Sequence, residues 1–318
     1  MVSIPLRVKF RGITERELML FEGPNGFMEW AAFPEYGDEE AATWLAAAIE
    51  WGTTDLPEPK RTRVPINAIL PAVQASDVQK LLERAGKFET VKVKVAEAGQ
   101  ELVDDLDRVS EVRNLYPEAK IRLDANGSFT VAKALELISL LTKKDIFLEY
   151  FEQPVATIAD LSELKLELSK IGSNLLIAAD ESVRKSTDPL AVELAGAVDI
   201  LVLKSAPLGG IRTALDIADK SKLAIVASSA MQSSIGLAAE LYFAASLPNL
   251  DFAAGLGTGR LFAGDLTKDP LVAEDGFMDV RRPEINLSSL DIFRSDDHRF
   301  DWWLERLERC GRILGLES

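Results

Sequence analysis

Residues 90–126 read TVKVKVAEAGQELVDDLDRVSEVRNLYPEAKIRLDAN. TVKVKVA (90–96) alternates at period two, as a strand does. VDDLDRVSEVRNLY carries apolar residues at three- and four-residue spacing, the pattern of an amphipathic helix. AKIRLDA (119–125) is a second β-rich run. Strand, long helix, strand is the βα unit of a parallel sheet, because two parallel neighbours need a crossover between them.

The unit recurs in both directions. VPINAIL (64–70), FLEYFEQ (147–153), LLIAADE (175–181), VDILVLK (198–204), LAIVASS (223–229) and LDFAAGL (250–256) complete a set of eight candidate strands. Their starts are 26, 29, 28, 28, 23, 25 and 27 residues apart, and amphipathic stretches fill the gaps. Eight strands at this period predict a (β/α)8 barrel. A doubly wound open sheet is the alternative, but no G-x-G-x-x-G follows the first strand to support a dinucleotide fold.

Before Arg61–Pro65 the pattern is different. PLRVKFRGI and RELMLFEG read as strands, and DEEAATWLAAAIEWG as one helix with acids in its first turn and Gly52 after it. This part is a small α+β unit, joined by the Pro- and charge-rich connector 57–65. The segment Gly23–Phe33, marked by glycines and aromatics, is expected to be a loop that covers a ligand.

Composition narrows the chemistry. The 318 residues hold 36 Lys plus Arg against 51 Asp plus Glu, a net charge of −15, which disfavours a nucleic-acid partner. One cysteine, Cys310, rules out an internal disulfide and Cys-based zinc or iron–sulfur sites. One histidine, His298, closes off most His-dependent mechanisms; it is expected at the surface, and Trp302–Trp303 are expected to pack a C-terminal helix. MVSIPLRVKF has no long apolar core, and no run approaches a membrane span, so a cytoplasmic protein without a membrane partner is expected.

The informative residues stand at one level, the C-terminal strand ends, where barrels place their active sites. These are Lys92 and Lys94, Asp124 and Asn126, Glu152, Asp180 and Glu181, and Lys204. Three converging carboxylates repel one another unless a cation neutralises them. All-oxygen ligands favour Mg²⁺, with Mn²⁺ the alternative. A lysine beside that cation, partly desolvated, suits a general base acting on the carbon next to a bound carboxylate. A lone strand-end acid is commonly a helix cap, and a lone lysine pair a solvated face; five such strand ends in succession argue against both.

VKVKV, RLDANGSF, EYFEQPV, AADESV and LVLKSAPLGG resemble the signature segments of the enolase superfamily, in the branch of muconate lactonising enzyme. Lysine bases with Mg²⁺ are a known pattern of that superfamily. The resemblance implies a modified (β/α)7β barrel over residues 63–284 and an α+β capping domain over 1–62. The C-terminal segment, about 285–318, would return to the cap. ASSAMQSSIGLAAELYFAASLP and AAGLGTGRLFAGDL are similar to the o-succinylbenzoate synthases of menaquinone biosynthesis.

That resemblance implies Asp124, Glu152 and Asp180 as metal ligands and Lys94 as the acid/base. Lys204 would stabilise an enediolate, with Lys92, Asn126 and Glu181 in support. The implied reaction is dehydration of 2-succinyl-6-hydroxy-2,4-cyclohexadiene-1-carboxylate to 2-succinylbenzoate, a small-molecule carboxylate chemistry. Ser228, Ser229 and Gly255 are the expected substrate contacts. Two departures stand out: Met231-Gln232 within the S-S-A-x-x-T-S segment, and Gly26-Phe27-Met28-Glu29 where relatives often carry G-W-G-E. The rival activity is N-succinylamino acid racemisation or a related cycloisomerisation; a non-catalytic metal- or metabolite-binding barrel is a third reading. Dipeptide epimerases usually carry Asp-x-Asp at the eighth strand, where this chain has Gly255-Leu256-Gly257-Thr258. The sequence leaves the oligomeric state open.

Overall fold

The computed structural model describes residues 1–316. Seven strands form one parallel sheet in sequence order: Ala68–Leu70, Thr90–Lys94, Lys120–Asp124, Leu148–Glu152, Ile177–Ala179, Ile200–Leu203 and Ala224–Ala227. Residues 254 and 255 close the circle. Ala254 bridges to Ile66 beside the first strand, and Gly255 bridges to Ser228 beyond the seventh, both in parallel.

The expected run LDFAAGL is therefore no regular strand. Only two of its residues pair, and the short 3₁₀ turn Gly257–Leu261 follows where a barrel helix would stand. This makes the barrel (β/α)7β rather than the (β/α)8 that periodicity alone predicts. The run VPINAIL also divides. Arg63–Pro65 pairs antiparallel with Phe277–Asp279, and only Ala68–Leu70 enters the barrel.

Alternation sorts the strand side chains into two environments. Val91, Val93, Ile121, Leu123, Phe151, Ile177, Leu201 and Leu203 face outward and share one core with the surrounding helices. Tyr150, Ala178, Ile200, Val202 and Val226 form a separate apolar cluster inside the barrel. Above that plug, the inward positions near the strand ends are polar. The interior is thus a packed floor with a charged mouth.

The strands Val2–Phe10, Ile13–Gly23 and Gly26–Trp30 form an antiparallel sheet. The helix Asp38–Thr53 packs against it and carries Gly52 in its last turn, not beyond its end. The helix Asp297–Ile313 packs on the same unit. Its Trp303 is fully buried, meets Trp30 edge-on at 5.1 Å and donates from Nε1 to Glu17 at 3.0 Å. Residues 317 and 318 of the expected returning segment lie outside the described residues. His298 is exposed on this last helix. Among the described residues, no helix is long and apolar enough to cross a membrane.

Trp303→Ala is expected to cost about 3–5 kcal/mol, the usual range for emptying an aromatic core position. The denaturant midpoint measures it; a loss under about 1 kcal/mol would show that this helix does not share the core.

Candidate active site

Register places the charged mouth. Lys94 pairs with Asp124, and Asp124 with Glu152, across neighbouring parallel strands, so the three side chains project to the same side at the same level. Glu152 pairs with Ala178, which puts Asp180 two residues further along on that same side. Lys204 directly follows the sixth strand. All of these side chains are buried, as is Lys92 one alternation below Lys94.

Several strand ends are finished by left-handed residues that are not glycine: Ala96 (φ 60°), Asn126 (φ 45°), Gln153 (φ 36°) and Met231 (φ 59°). Such conformations cost free energy and recur where a site needs a particular side-chain direction. The turn at Gln153 lets its Oε1 accept from the amides of Asp180 and Ser182, at 3.0 and 3.1 Å. The fourth and fifth strand ends are thereby tied together.

The acids and lysines pair across the mouth. Lys94 Nζ lies 2.5 Å from Asp124 Oδ2 and 2.5 Å from Asn126 Oδ1. Lys92 Nζ donates to both oxygens of Glu152 at 2.9 Å and stands 3.4 Å from Asp124. Lys204 Nζ lies 2.5 Å from Asp180 Oδ2. Asn126 Nδ2 donates to Glu181 Oε1 at 3.2 Å, and Arg184 donates to the same oxygen at 2.9 Å. The Asn126 side chain therefore links the Lys94 amine to Glu181, which in turn holds Arg184.

Burial moves these groups in different directions. It holds the Lys94 amine below its usual range, against the pull of Asp124. Burial acts on Lys92 in the same sense, but Glu152 and Asp124 outweigh it and hold that amine high. Burial lifts the Glu152 carboxyl to about 7. Asp124 and Asp180 are held low despite burial, by Lys94 and Lys92 in one case and by Lys204 and Arg184 in the other. Of the two lysines on one strand, Lys94 is the one whose proton is easier to remove.

Among the described residues, no three acidic, imidazole or thiol groups are already gathered as a metal cage. Each acid instead faces an amine. The donor set nevertheless fits a hard divalent cation. Asp124, Glu152 and Asp180 stand at neighbouring strand ends with no imidazole or thiol beside them, and Asp180 Oδ1 is buried without a hydrogen bond, 3.3 Å from Arg184 Nε.

The expected substrate contacts meet here. Ser228, Ser229 and Gly255 line the same pocket as Lys92, Lys94, Asp124, Asn126, Asp180 and Lys204. A Cβ on Gly255 would stand 2.7 Å from Ser228 Oγ and 3.2 Å from Ser228 Cβ, so a side chain here would displace the Ser228 hydroxyl on the pocket wall. The expected covering loop Gly23–Phe33 is elsewhere. It forms the end of one strand, a hairpin turn and the strand Gly26–Trp30, with Trp30, Ala31, Ala32 and Phe33 in the core.

Phe10 and Arg11 reach the pocket instead. They sit at the tight hairpin where Phe10 pairs with Ile13, with positive φ at both Arg11 and Gly12. The run PLRVKFRGI therefore does not continue as one strand: it ends at Phe10, and Arg11-Gly12 forms the turn before the second strand starts at Ile13.

Two family models match, "Enolase N-terminal domain-like" over residues 1–52 and "Enolase C-terminal domain-like" over 74–284. The o-succinylbenzoate synthases of Mycobacterium bovis and Mycobacterium tuberculosis are each 48% identical over 98% of this chain and 93% of their own. That of Mycobacterium leprae is 46% identical over 98% and 91%.

The chain belongs to the o-succinylbenzoate synthase family.

Its fold is shared more widely. A muconate lactonizing enzyme from Pseudomonas fluorescens, solved with muconolactone, superposes with a TM-score of 0.74 at 19% identity, over 92% of this chain and 97% of that one. The L-Ala-D/L-Glu epimerase of Bacillus subtilis gives 0.72 at 18%, over 89% and 95%. Enolase-superfamily members bind a divalent metal, generally Mg²⁺. The o-succinylbenzoate synthases are lyases, so membership makes the chain a hydro-lyase of this superfamily.

Proposed function

We propose that this chain dehydrates 2-succinyl-6-hydroxy-2,4-cyclohexadiene-1-carboxylate to 2-succinylbenzoate, the o-succinylbenzoate synthase step of menaquinone biosynthesis, with Lys94 as the acid/base. One observation carries the reading. A lysine with a lowered proton affinity and a second lysine, Lys204, flank three buried carboxylates at one barrel mouth.

Asp124, Glu152 and Asp180 would hold Mg²⁺. Bound there, a divalent cation would supply Lewis-acid stabilisation of negative charge on a substrate carboxylate. The chain's own residues supply the rest. Lys94 Nζ, neutral, removes the proton from the carbon beside the carboxylate; cationic, it returns that proton to the leaving hydroxyl. Both transfers occur on one face, so a single group serves for both. Lys204 presents an ammonium to the developing enediolate from the sixth strand. Lys92, bound to Glu152, keeps that acid oriented. Asn126 holds the Lys94 amine and Glu181 together. Ser228, Ser229 and Gly255 shape the wall against which the ring rests.

The substrate has a second carboxylate on its succinyl arm. Arg11, half-buried at the cap hairpin and stacked on Phe33 at 4.8 Å, is the cap's cation on this pocket. Arg11→Ala is expected to raise KM roughly 10- to 100-fold with kcat within a few-fold, because a charge-assisted hydrogen bond contributes about 1.5–3 kcal/mol. An unchanged KM would remove Arg11 from the substrate's reach.

Steady-state dehydration in the presence of Mg²⁺, run beside racemisation of N-succinylamino acids, tests the whole reading. Lysines on the second and sixth strands also suit racemisation, one on each face of a carbon acid. Turnover of the succinylamino acids with no dehydration would transfer the assignment to that reaction.

A further inference from the structure

The helix Ser234–Ser246 follows the seventh strand and reads SIGLAAELYFAAS. Glu240 is its one charged residue, and it is fully buried. A carboxylate in that setting is costly unless hydrogen bonds compensate it. Its partners are specific. Oε2 accepts from the amide of Ser205 at 2.7 Å, and Oε1 from the amide of Ala206 at 3.0 Å. These are the two residues directly after Lys204. Two successive amides on one carboxylate fix both the position and the direction of that backbone.

The third partner is Gln232, whose Nε2 donates to Glu240 Oε1 at 3.0 Å. Gln232 Oε1 accepts from the amide of Ala230 at 2.7 Å, within its own turn. That turn runs from Ser228 and Ser229, on the pocket wall, through left-handed Met231. The cap grips the same turn from the other side. Arg16 donates from Nε to the Met231 carbonyl at 3.1 Å and lies 3.4 Å from that of Ala230. Glu29 accepts from the Ser233 amide at 3.1 Å, from the Ser233 hydroxyl, and from the Gly236 amide at 3.3 Å. A Cβ at Gly236 would stand 2.7 Å from Glu29 Oε1, so the close approach requires that glycine. None of Arg16, Glu29, Gln232 and Glu240 is among the residues lining the pocket with Lys94 and Lys204.

We propose that Glu240 and Gln232 are positioning residues for Lys204, which fasten the backbone behind it to a substrate-facing turn that the cap anchors through Arg16 and Glu29. The inference rests on the role given to Lys204 above and extends it. Lys204 hangs from a strand that ends at Leu203, so its ammonium is only as well placed as the two residues that follow. Electrostatic stabilisation of a developing charge depends steeply on that placement. The same contacts explain the departure at Met231-Gln232: a glutamine at 232 bridges the turn to the buried acid.

The test uses the full chain with Mg²⁺. Glu240→Gln keeps the shape but replaces one acceptor oxygen with a donor. Gln232→Leu, a second and uncharged probe, removes the bridge. The first readout needs no turnover. Amide hydrogen exchange at Ser205 and Ala206 is expected to rise at least tenfold in Glu240→Gln, with the amides of Ile200–Leu203 unchanged. The second is kinetic. In both variants kcat for dehydration should fall at least tenfold, with KM and the Mg²⁺ dissociation constant within about twofold of wild type.

Combining Gln232→Glu with Glu240→Gln re-creates a carboxylate–amide pair in reverse and should recover at least threefold of the lost kcat. Wild-type kcat in both folded single variants would overturn the proposal. So would a loss carried by KM or by Mg²⁺ affinity. If the wild-type chain failed to dehydrate the substrate, the functional reading would fall, and the amide-exchange comparison would still decide whether Glu240 holds this segment.

Discussion

Lys94→Ala is expected to abolish dehydration, with kcat lower by roughly 10³–10⁴. Positioned acid–base catalysis commonly contributes about 10²–10⁴. In the proposed mechanism this residue serves twice in one turnover, so the loss should fall at the upper end. Substitution also strips Asp124 of its 2.5 Å partner, although Lys92 stands 3.4 Å from the same oxygen and limits the damage to the fold. Substrate binding should persist, because the carboxylates and the pocket wall remain. A single-turnover experiment with saturating substrate separates the two effects. A variant that binds but does not convert supports the assignment, whereas one retaining a tenth of the wild-type rate would contradict it.

Removal of the divalent ion is the second large effect. Chelation should reduce turnover below detection, and added Mg²⁺ should restore it. Glu152→Gln sharpens the claim. It preserves shape while removing a ligand charge, so the Mg²⁺ dissociation constant should rise by more than the roughly 10- to 100-fold that loss of an outer partner produces. The substitution also leaves Asp124, 3.4 Å away, as the nearest carboxylate to buried Lys92, and breaking a buried ion pair costs about 3–5 kcal/mol, less whatever the remaining amide oxygen recovers by accepting from Lys92. Calorimetric titration of Mg²⁺ below the variant's melting point distinguishes weak binding from unfolding. Wild-type affinity in folded Glu152→Gln would remove that acid from the ligand set.

Much of the barrel was legible because its strands alternate so plainly. In TVKVK the valines face the helices and the lysines face the mouth, so period two alone pairs Lys92 with Lys94 on one side. The acids followed from where each apolar run stops. The eighth run closes the barrel where expected but pairs over fewer residues than LDFAAGL suggests. Phe252, Ala253 and Ala254 have strand-like composition, yet only residues 254 and 255 pair, and Gly255 must come close to Ser228.

The cap was harder. Gly23–Phe33 looks irregular along the chain, but its apolar residues are core for a three-stranded sheet. The hairpin at Arg11 was hidden because Arg11-Gly12 sits inside the apolar-alternating run PLRVKFRGI, and its reach over the mouth depends on how the cap docks. Arg16 and Glu29 act on backbone more than two hundred residues away, and no local pattern reports such a contact.

The central claim is that one lysine, Lys94, moves the proton while Lys204 holds charge. Isotope exchange in deuterated water on a non-eliminating carboxylate analogue tests it most directly. The account predicts that Lys94→Ala loses α-proton exchange altogether, and that Lys204→Arg slows it without transferring it to another residue. Exchange at the wild-type rate in Lys94→Ala would contradict the account.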